Sequence, residues 1–208
     1  MQFVLKGDLA FTPTPERFEL IPEGYLVVED GTILHVGAEL PAPYRQWPVT
    51  DVGRKMIIPG FVDLHLHAPQ YPNLGLGLDM QLLPWLETYT FPEESKYADV
   101  NYADRVYRGL INRLWEVGTT RSVLFASIHL EATERLADLL IQSGLSGFVG
   151  KVNMDRNAPD FYIEETAQSL RDTETFVKAY LNRSERVKPI ITPRFVPSCS
   201  SGLRVRIR

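Results

Sequence analysis

Pro59-Gly60-Phe61-Val62-Asp63-Leu64-His65-Leu66-His67 is the stretch on which the fold turns. It is apolar, preceded by Pro-Gly and followed by Pro69 and Pro72, the punctuation of a short β-strand. Side chains alternate across a strand, so Phe61, Asp63, His65 and His67 are expected on one face and Val62, Leu64 and Leu66 on the other. Two imidazoles two residues apart then project side by side, their Cα atoms about 6.5–7 Å apart. That spacing lets both rings converge on one ion, because zinc–nitrogen bonds are about 2 Å long. A His-x-His pair is a short motif, and two strand histidines can equally bond neighbouring backbone. Three polar side chains on one face of an apolar strand are costly to bury without a task, which favours a metal. A strand of this kind suits a barrel whose chemistry sits at the C-terminal strand ends.

Composition removes several function classes. The chain has 208 residues, 44% hydrophobic and 23% charged, as a globular protein with a core requires. Its 22 basic and 26 acidic side chains leave a formal charge of −4, so nothing favours nucleic acid or an anionic membrane as partner. No signal peptide or membrane-length apolar run is evident, and a cytoplasmic location is the default expectation. The lone cysteine, Cys199, excludes an internal disulfide and a Cys-based zinc cage, including that of the Pro-Cys-x-x-Cys deaminases.

Before the key strand, residues 1–56 read as all-β. Strand candidates are Phe3–Leu9, Phe18–Ile21, Tyr25–Val28 and Ile33–Val36, with Asp30-Gly31 favouring a tight hairpin turn between the last two. A small β-sandwich half is expected, with His35 structural. After His67 a Gly- and Pro-rich stretch to Leu78 reads as a pocket wall, and Asp79–Tyr89 as a helix. Asp99 or Asn101 caps the next helix, whose stripe is Val106, Leu110, Leu114 and Val117. Strands at 119–126, 147–154 and 187–195 alternate with helices at 130–143 and 163–181, the last carrying Leu170, Thr173, Val177 and Leu181. Such alternation implies a parallel sheet, an α/β fold. Polar residues close each strand: His65 and His67, Ser127 and His129, Asn153 and Asp155, Arg194. That habit favours a TIM-like (β/α)8 barrel, and the missing Gly-rich fingerprint counts against a dinucleotide fold.

With those motifs laid out, the chain resembles the metal-dependent amidohydrolase superfamily and, within it, the guanine deaminase family. The resemblance rests on His-Leu-His-Ala-Pro-Gln-Tyr (65–71), Trp-Leu-Glu-Thr-Tyr-Thr-Phe-Pro (85–92), Phe-Val-Gly-Lys-Val-Asn-Met-Asp (148–155) and Val-Lys-Pro-Ile-Ile-Thr-Pro-Arg-Phe (187–195). It implies hydrolysis of guanine to xanthine and ammonia at one zinc ion, in purine catabolism, by a homodimeric enzyme. His65 and His67 would be zinc ligands. His67, Ala68, Pro69 and Gln70 would line the purine site, Arg194 would reach the guanine carbonyl oxygen, and Phe195 would pack beside the ring. His129 is a candidate behind the ligands, or a structural histidine.

The same resemblance implies that the chain is an N-terminal portion. A full eight-unit barrel takes about 250 residues, and four units are readable in residues 57–200. The remaining ligands and a proton-shuttling carboxylate are expected beyond Arg208, so no catalytic acid or base is assigned within the chain. The segment 201–208, in which Arg204, Arg206 and Arg208 alternate with apolar residues, is expected to be an atypical basic tail from a frame change or artificial end, in preference to a short basic strand. Two other classes stay open: another amidohydrolase reaction, on cytosine or an s-triazine, and a non-catalytic dimerisation or scaffold half-barrel.

Overall fold

A computed structural model describes residues 1–207 and divides at Gly60 into two units. In the first, β1 (Gln2–Thr14), β2 (Arg17–Glu29), β3 (Thr32–Gly37) and β4 (Val49–Ile57) form one four-stranded sheet in the order β3-β2-β1-β4. The strands are longer than proline punctuation suggests. Pro13 falls where the β1–β2 register slips between Phe11 and Thr14, a place where its missing N–H costs no ladder bond. Asp30 and Gly31 join β2 to β3 with φ of 48° and 79°, the double positive φ that a two-residue hairpin turn demands. His35 lies in β3 with Nε2 3.0 Å from the Glu39 carbonyl oxygen.

The second unit begins with β5 (Phe61–His67) and a 3-10 segment at Ala68–Asn73. Short helices α1 (Leu82–Trp85) and α2 (Phe91–Ser95) flank a π-helical turn at Leu86–Thr90, so the expected single helix at 79–89 is broken. Then follow α3 (Val100–Glu116), β6 (Thr119–Phe125), α4 (Leu130–Ser143), β7 (Ser146–Gly150), β8 (Val152–Asn153), α5 (Thr166–Tyr180), β9 (Val187–Pro189), β10 (Thr192–Pro193) and α6 (Ser201–Arg206). Strands β5, β6, β7 and β9 make a parallel sheet in chain order, and β8 pairs in parallel with β10. Gly147 permits β7 to approach β6: a Cβ there would lie 2.1 Å from the Ser122 carbonyl oxygen.

The helices pack one side of this sheet. Tyr107, Leu110 and Leu114 of α3, Leu136 and Leu140 of α4, Phe176 and Tyr180 of α5 and Leu124 and Val149 of the sheet share one buried cluster. Asp99 caps α3, its carboxylate accepting the Asn101 N–H, and Gly144 ends α4 at φ 80°. The expected stripes hold in part, at Leu110 and Leu114 of α3 and Thr173 of α5. On α3 the buried residues are Ala103, Tyr107, Leu110, Ile111 and Leu114, while Val117 is 41% exposed. On α5 they are Ser169, Thr173, Phe176 and Tyr180, while Leu181 is 51% exposed. In both, small or amphipathic residues (Ala103, Ser169, the tyrosines) take the inward positions, and aliphatic counting skips them.

The C-terminal segment is a helix and not a strand. Ser200 caps α6 by accepting the Leu203 N–H, and Leu203 and Ile207, one turn apart, are buried with Cys199 against Leu170. The i, i+4 pairing of those two apolar residues outweighs the alternation that suggested a strand. Arg208 lies outside the described residues.

Candidate active site

Two histidines at the end of β5 define the site, and the strand that carries them is not regular. Asp63 pairs with Ser122 and Leu66 with Leu124, three steps on β5 against two on β6. The extra residue is a β-bulge at Leu64-His65. It interrupts the regular alternation, yet Asp63, His65 and His67 still line one hollow, with Leu66, Leu110 and Leu114. The Asp63 carboxylate has a local task there, accepting the His65 backbone N–H at 3.0 Å. The bulge still delivers both imidazoles to one place. Their ring centroids are 5.0 Å apart, and both lie against Phe125 of β6, at 4.9 and 4.8 Å.

His67 is prepared to be a neutral ligand. Burial, then the Arg194 guanidinium, then His65 hold its pKa down to about 3. Its buried Nδ1 has no hydrogen-bond partner among the described residues. An unprotonated imidazole nitrogen without a partner is what a divalent metal takes, so the pair fits part of a zinc ligand set. Among the described residues no group of three or more His, Cys, Asp and Glu side chains is placed to hold a metal.

Immediately after β5 the 3-10 segment sets Gln70 beside the histidines. Gln70 Nε2 donates to Glu94 of α2 at 2.9 Å. Arg194, next to the end of β10, closes on the same carboxylate with both terminal nitrogens: Nη2 lies 3.1 Å from Oε1, and Nη1 donates to Oε2. The pair is sealed, with side chains 3% and 0% exposed, and the guanidinium lies 5.3 Å from the Phe91 ring centroid. His65, His67, Gln70, Arg194 and Phe195 thus line one open cleft of about 410 Å³, whose other wall is Leu82, Trp85 and Leu86. Ala68 and Pro69 are buried behind it, the Pro69 carbonyl accepting the Tyr97 hydroxyl at 3.0 Å.

Other strand-end polar residues are spent on structure. Asn153 Nδ2 donates to the hydroxyls of Ser169 and Thr173, and Asp155 accepts from Ser200 and Thr166. His129 opens α4 and lines a different hollow with Glu131 and Glu164. Glu94 is not among the residues the sequence singles out; the Glu93-Glu94 pair follows directly on the 85–92 motif, an acidic pair in an apolar setting, and that is its signal.

Comparison with known proteins agrees with this geometry. Residues 56–205 match the profile of the Amidohydrolase family, reaching into the segment that seemed atypical. Guanine deaminase of Dictyostelium discoideum is 40% identical over 98% of this chain and 49% of its own length. The Homo sapiens guanine deaminase is 43% identical over 72% of this chain and 33% of its own. A crystal structure of guanine deaminase from C. acetobutylicum, with guanine bound in its active site, superposes on all of this chain and 49% of its own, with a TM-score of 0.94 and 49% identity. The chain spans half the length, or less, of the relatives it matches.

Proposed function

The chain belongs to the amidohydrolase family, and on that footing we propose that it forms part of a zinc-dependent guanine deaminase, which converts guanine and water to xanthine and ammonia. The observation that carries this reading is the cleft: a metal-ready imidazole pair faces a buried amide–guanidinium–carboxylate cluster across a space for one small flat ligand. The reading includes a homodimer in the cytoplasm and a role in purine catabolism. It takes residues 57–200 as the first four units of a (β/α)8 barrel and residues 1–56 as half of a β-sandwich.

His65 and His67 would hold the zinc, together with ligands from outside the described residues, since a catalytic zinc normally has three protein ligands. Bound there, zinc supplies a water that ionises near neutral pH. The chain's own residues do the recognition. Arg194 offers N–H donors to a carbonyl oxygen, Gln70 offers its amide to the polar edge of the base, and Phe195 offers a face for the ring. Leu82, Trp85 and Leu86 offer an apolar wall on the opposite side. No proton shuttle is assigned to the cleft: Glu94, behind it, is committed to Arg194 and Gln70.

The test is calorimetric titration of the purified chain, first with zinc and then with guanine, cytosine and an s-triazine. Zinc uptake is expected to vanish in His65→Ala and in His67→Ala, and guanine is expected to bind in preference to the other two bases. Zinc uptake unchanged in both variants, or a preference for the triazine, would overturn the reading.

A further inference from the structure

Glu94 touches neither the proposed metal nor the open face of the cleft, yet three donors converge on it. Oε1 accepts from Gln70 Nε2 at 2.9 Å and from Arg194 Nη2 at 3.1 Å, and Oε2 accepts from Arg194 Nη1. Beside it lies Tyr162, a fully buried phenol that burial and then the neighbouring Glu94 charge keep protonated, well above its ordinary pKa. A carboxylate only accepts, so it settles which end of the Gln70 amide faces it. Nε2 must turn toward Glu94, and Oε1 is left for the cleft that Gln70 lines. Arg194 can only donate, whatever its orientation. The cleft therefore presents a fixed pattern, one acceptor from Gln70 and donors from Arg194.

We propose that Glu94 is a positioning residue that writes this pattern, and that through Gln70 and Arg194 it selects a base carrying an N–H beside a carbonyl over one carrying an amino group beside a bare ring nitrogen. Guanine has the first edge and adenine the second. The inference rests on the guanine reading above and adds to it the residue that sets the preference. A site built to pair with a hydrogen-bonding edge rejects the opposite edge strongly, because its own buried groups are then left unpaired.

The experiment compares equilibrium binding of guanine and adenine to the chain and to its Glu94→Gln variant. Glutamine offers a donor as well as an acceptor, so Gln70 is released to turn either end outward. The wild-type chain is expected to prefer guanine, and the variant to lose at least about tenfold of that preference, the scale of one misplaced hydrogen bond. A loss of folding alone would weaken both bases equally and leave their ratio unchanged.

Should Glu94→Gln fail to fold, two measurements stand without it. Gln70→Leu keeps the Glu94–Arg194 pair and is expected to cut the guanine-to-adenine ratio likewise. In the ligand-free wild-type chain, the Gln70 side-chain amide hydrogens are expected to exchange slowly by NMR. A preference that survives in Glu94→Gln, or in Gln70→Leu, or a freely exchanging Gln70 amide, overturns the inference and leaves the guanine reading standing. A wild-type chain without preference for guanine overturns both.

Discussion

Replacing Lys151 by methionine isolates the energetics of a buried ion pair outside the cleft. Lys151 follows β7, its side chain fully buried, and its ammonium donates to Glu164 and, at 3.1 Å, to the Val152 carbonyl oxygen. Glu164 also accepts the Met154 N–H at 3.0 Å and the Ser169 hydroxyl at 2.9 Å. Burial pulls the lysine down and pushes the carboxyl up, in each case against the attraction of the partner. Both directions say that desolvation exceeds the Coulombic return, as is common for buried pairs. Methionine keeps the volume but strands the carboxylate, which costs about 3–5 kcal/mol at neutral pH. For a chain of this size that is a fall in Tm on the order of 10 °C.

The sign with pH follows. In Lys151→Met the Glu164 carboxyl loses its one cationic neighbour and rises further above its ordinary 4.5. A carboxyl raised in the folded state takes up a proton there before it does in the unfolded chain. Acidification therefore relieves the variant, and its deficit against wild type is expected to shrink as the pH falls from 7 toward 4.5. A double variant, Lys151→Met with Glu164→Gln, is expected to recover much of the loss at pH 7, since no charge is then buried. Urea unfolding followed by circular dichroism at pH 7 and pH 5 measures all three. A deficit below about 1 kcal/mol at pH 7, or one that grows on acidification, would refute the reasoning.

Two further outcomes concern one residue in each unit. Gly31 sits at φ 79° with nothing near its missing Cβ, so Gly31→Ala is expected to cost about 1 kcal/mol through backbone conformation alone. An unchanged urea midpoint for the first sheet's unfolding would contradict that. Asp155 anchors the C-terminal helix: its carboxylate accepts from the Ser200 N–H and hydroxyl at 2.6 Å each and from Thr166 at 2.8 Å. Burial pushes its pKa up, and those bonds outweigh it, leaving it below the usual 3.8. The anchoring is therefore present at neutral pH and is lost only as acid drives the pH down through that lowered value. Asp155→Ala is expected to cost about 1–3 kcal/mol and to speed hydrogen exchange at the Leu203 amide; equal exchange in both proteins would count against the anchor.

What the sequence disclosed were features whose physics is local. The Asp30-Gly31 turn needs two positive φ values and names the residues that tolerate them. The extent of α4 was readable because Gly144 is a left-handed stop and the segment before it is strongly amphipathic. The two histidines were legible as a pair because their ring-to-ring approach, 5.0 Å, is set within one strand. The irregularity between Asp63 and Leu66 was not, since a bulge is a property of two strands in register, and nothing in β5 alone says that β6 will advance by two while it advances by three. The inward faces of α3 and α5 were legible only in part, Leu110, Leu114 and Thr173 among them, for a related reason. Burial at Ala103 and Ser169 reflects how closely neighbouring backbone approaches, and a hydrophobicity count does not contain that distance.

The carboxylate at position 94 is the sharpest case. Sequence reading names groups that meet a ligand, because their chemistry matches it: an amide, a guanidinium, an aromatic ring. Glu94 meets none, and its partner Arg194 is a hundred residues away. Its importance is nonetheless implied by theirs. An arginine whose side chain is 3% exposed cannot be carried uncompensated, so the presence of Arg194 in a closed wall demands an acid behind it. The acid must lie at a segment that closes on the same cleft, and the Glu93-Glu94 pair is where the apolar 85–92 segment ends. Glu93 turns to Lys96 and Tyr102, which leaves Glu94 for the arginine. A buried cation in the wall of a cleft is thus a reason to search the sequence for its counter-ion, and the counter-ion, once found, fixes the orientation of a neutral amide that shares it.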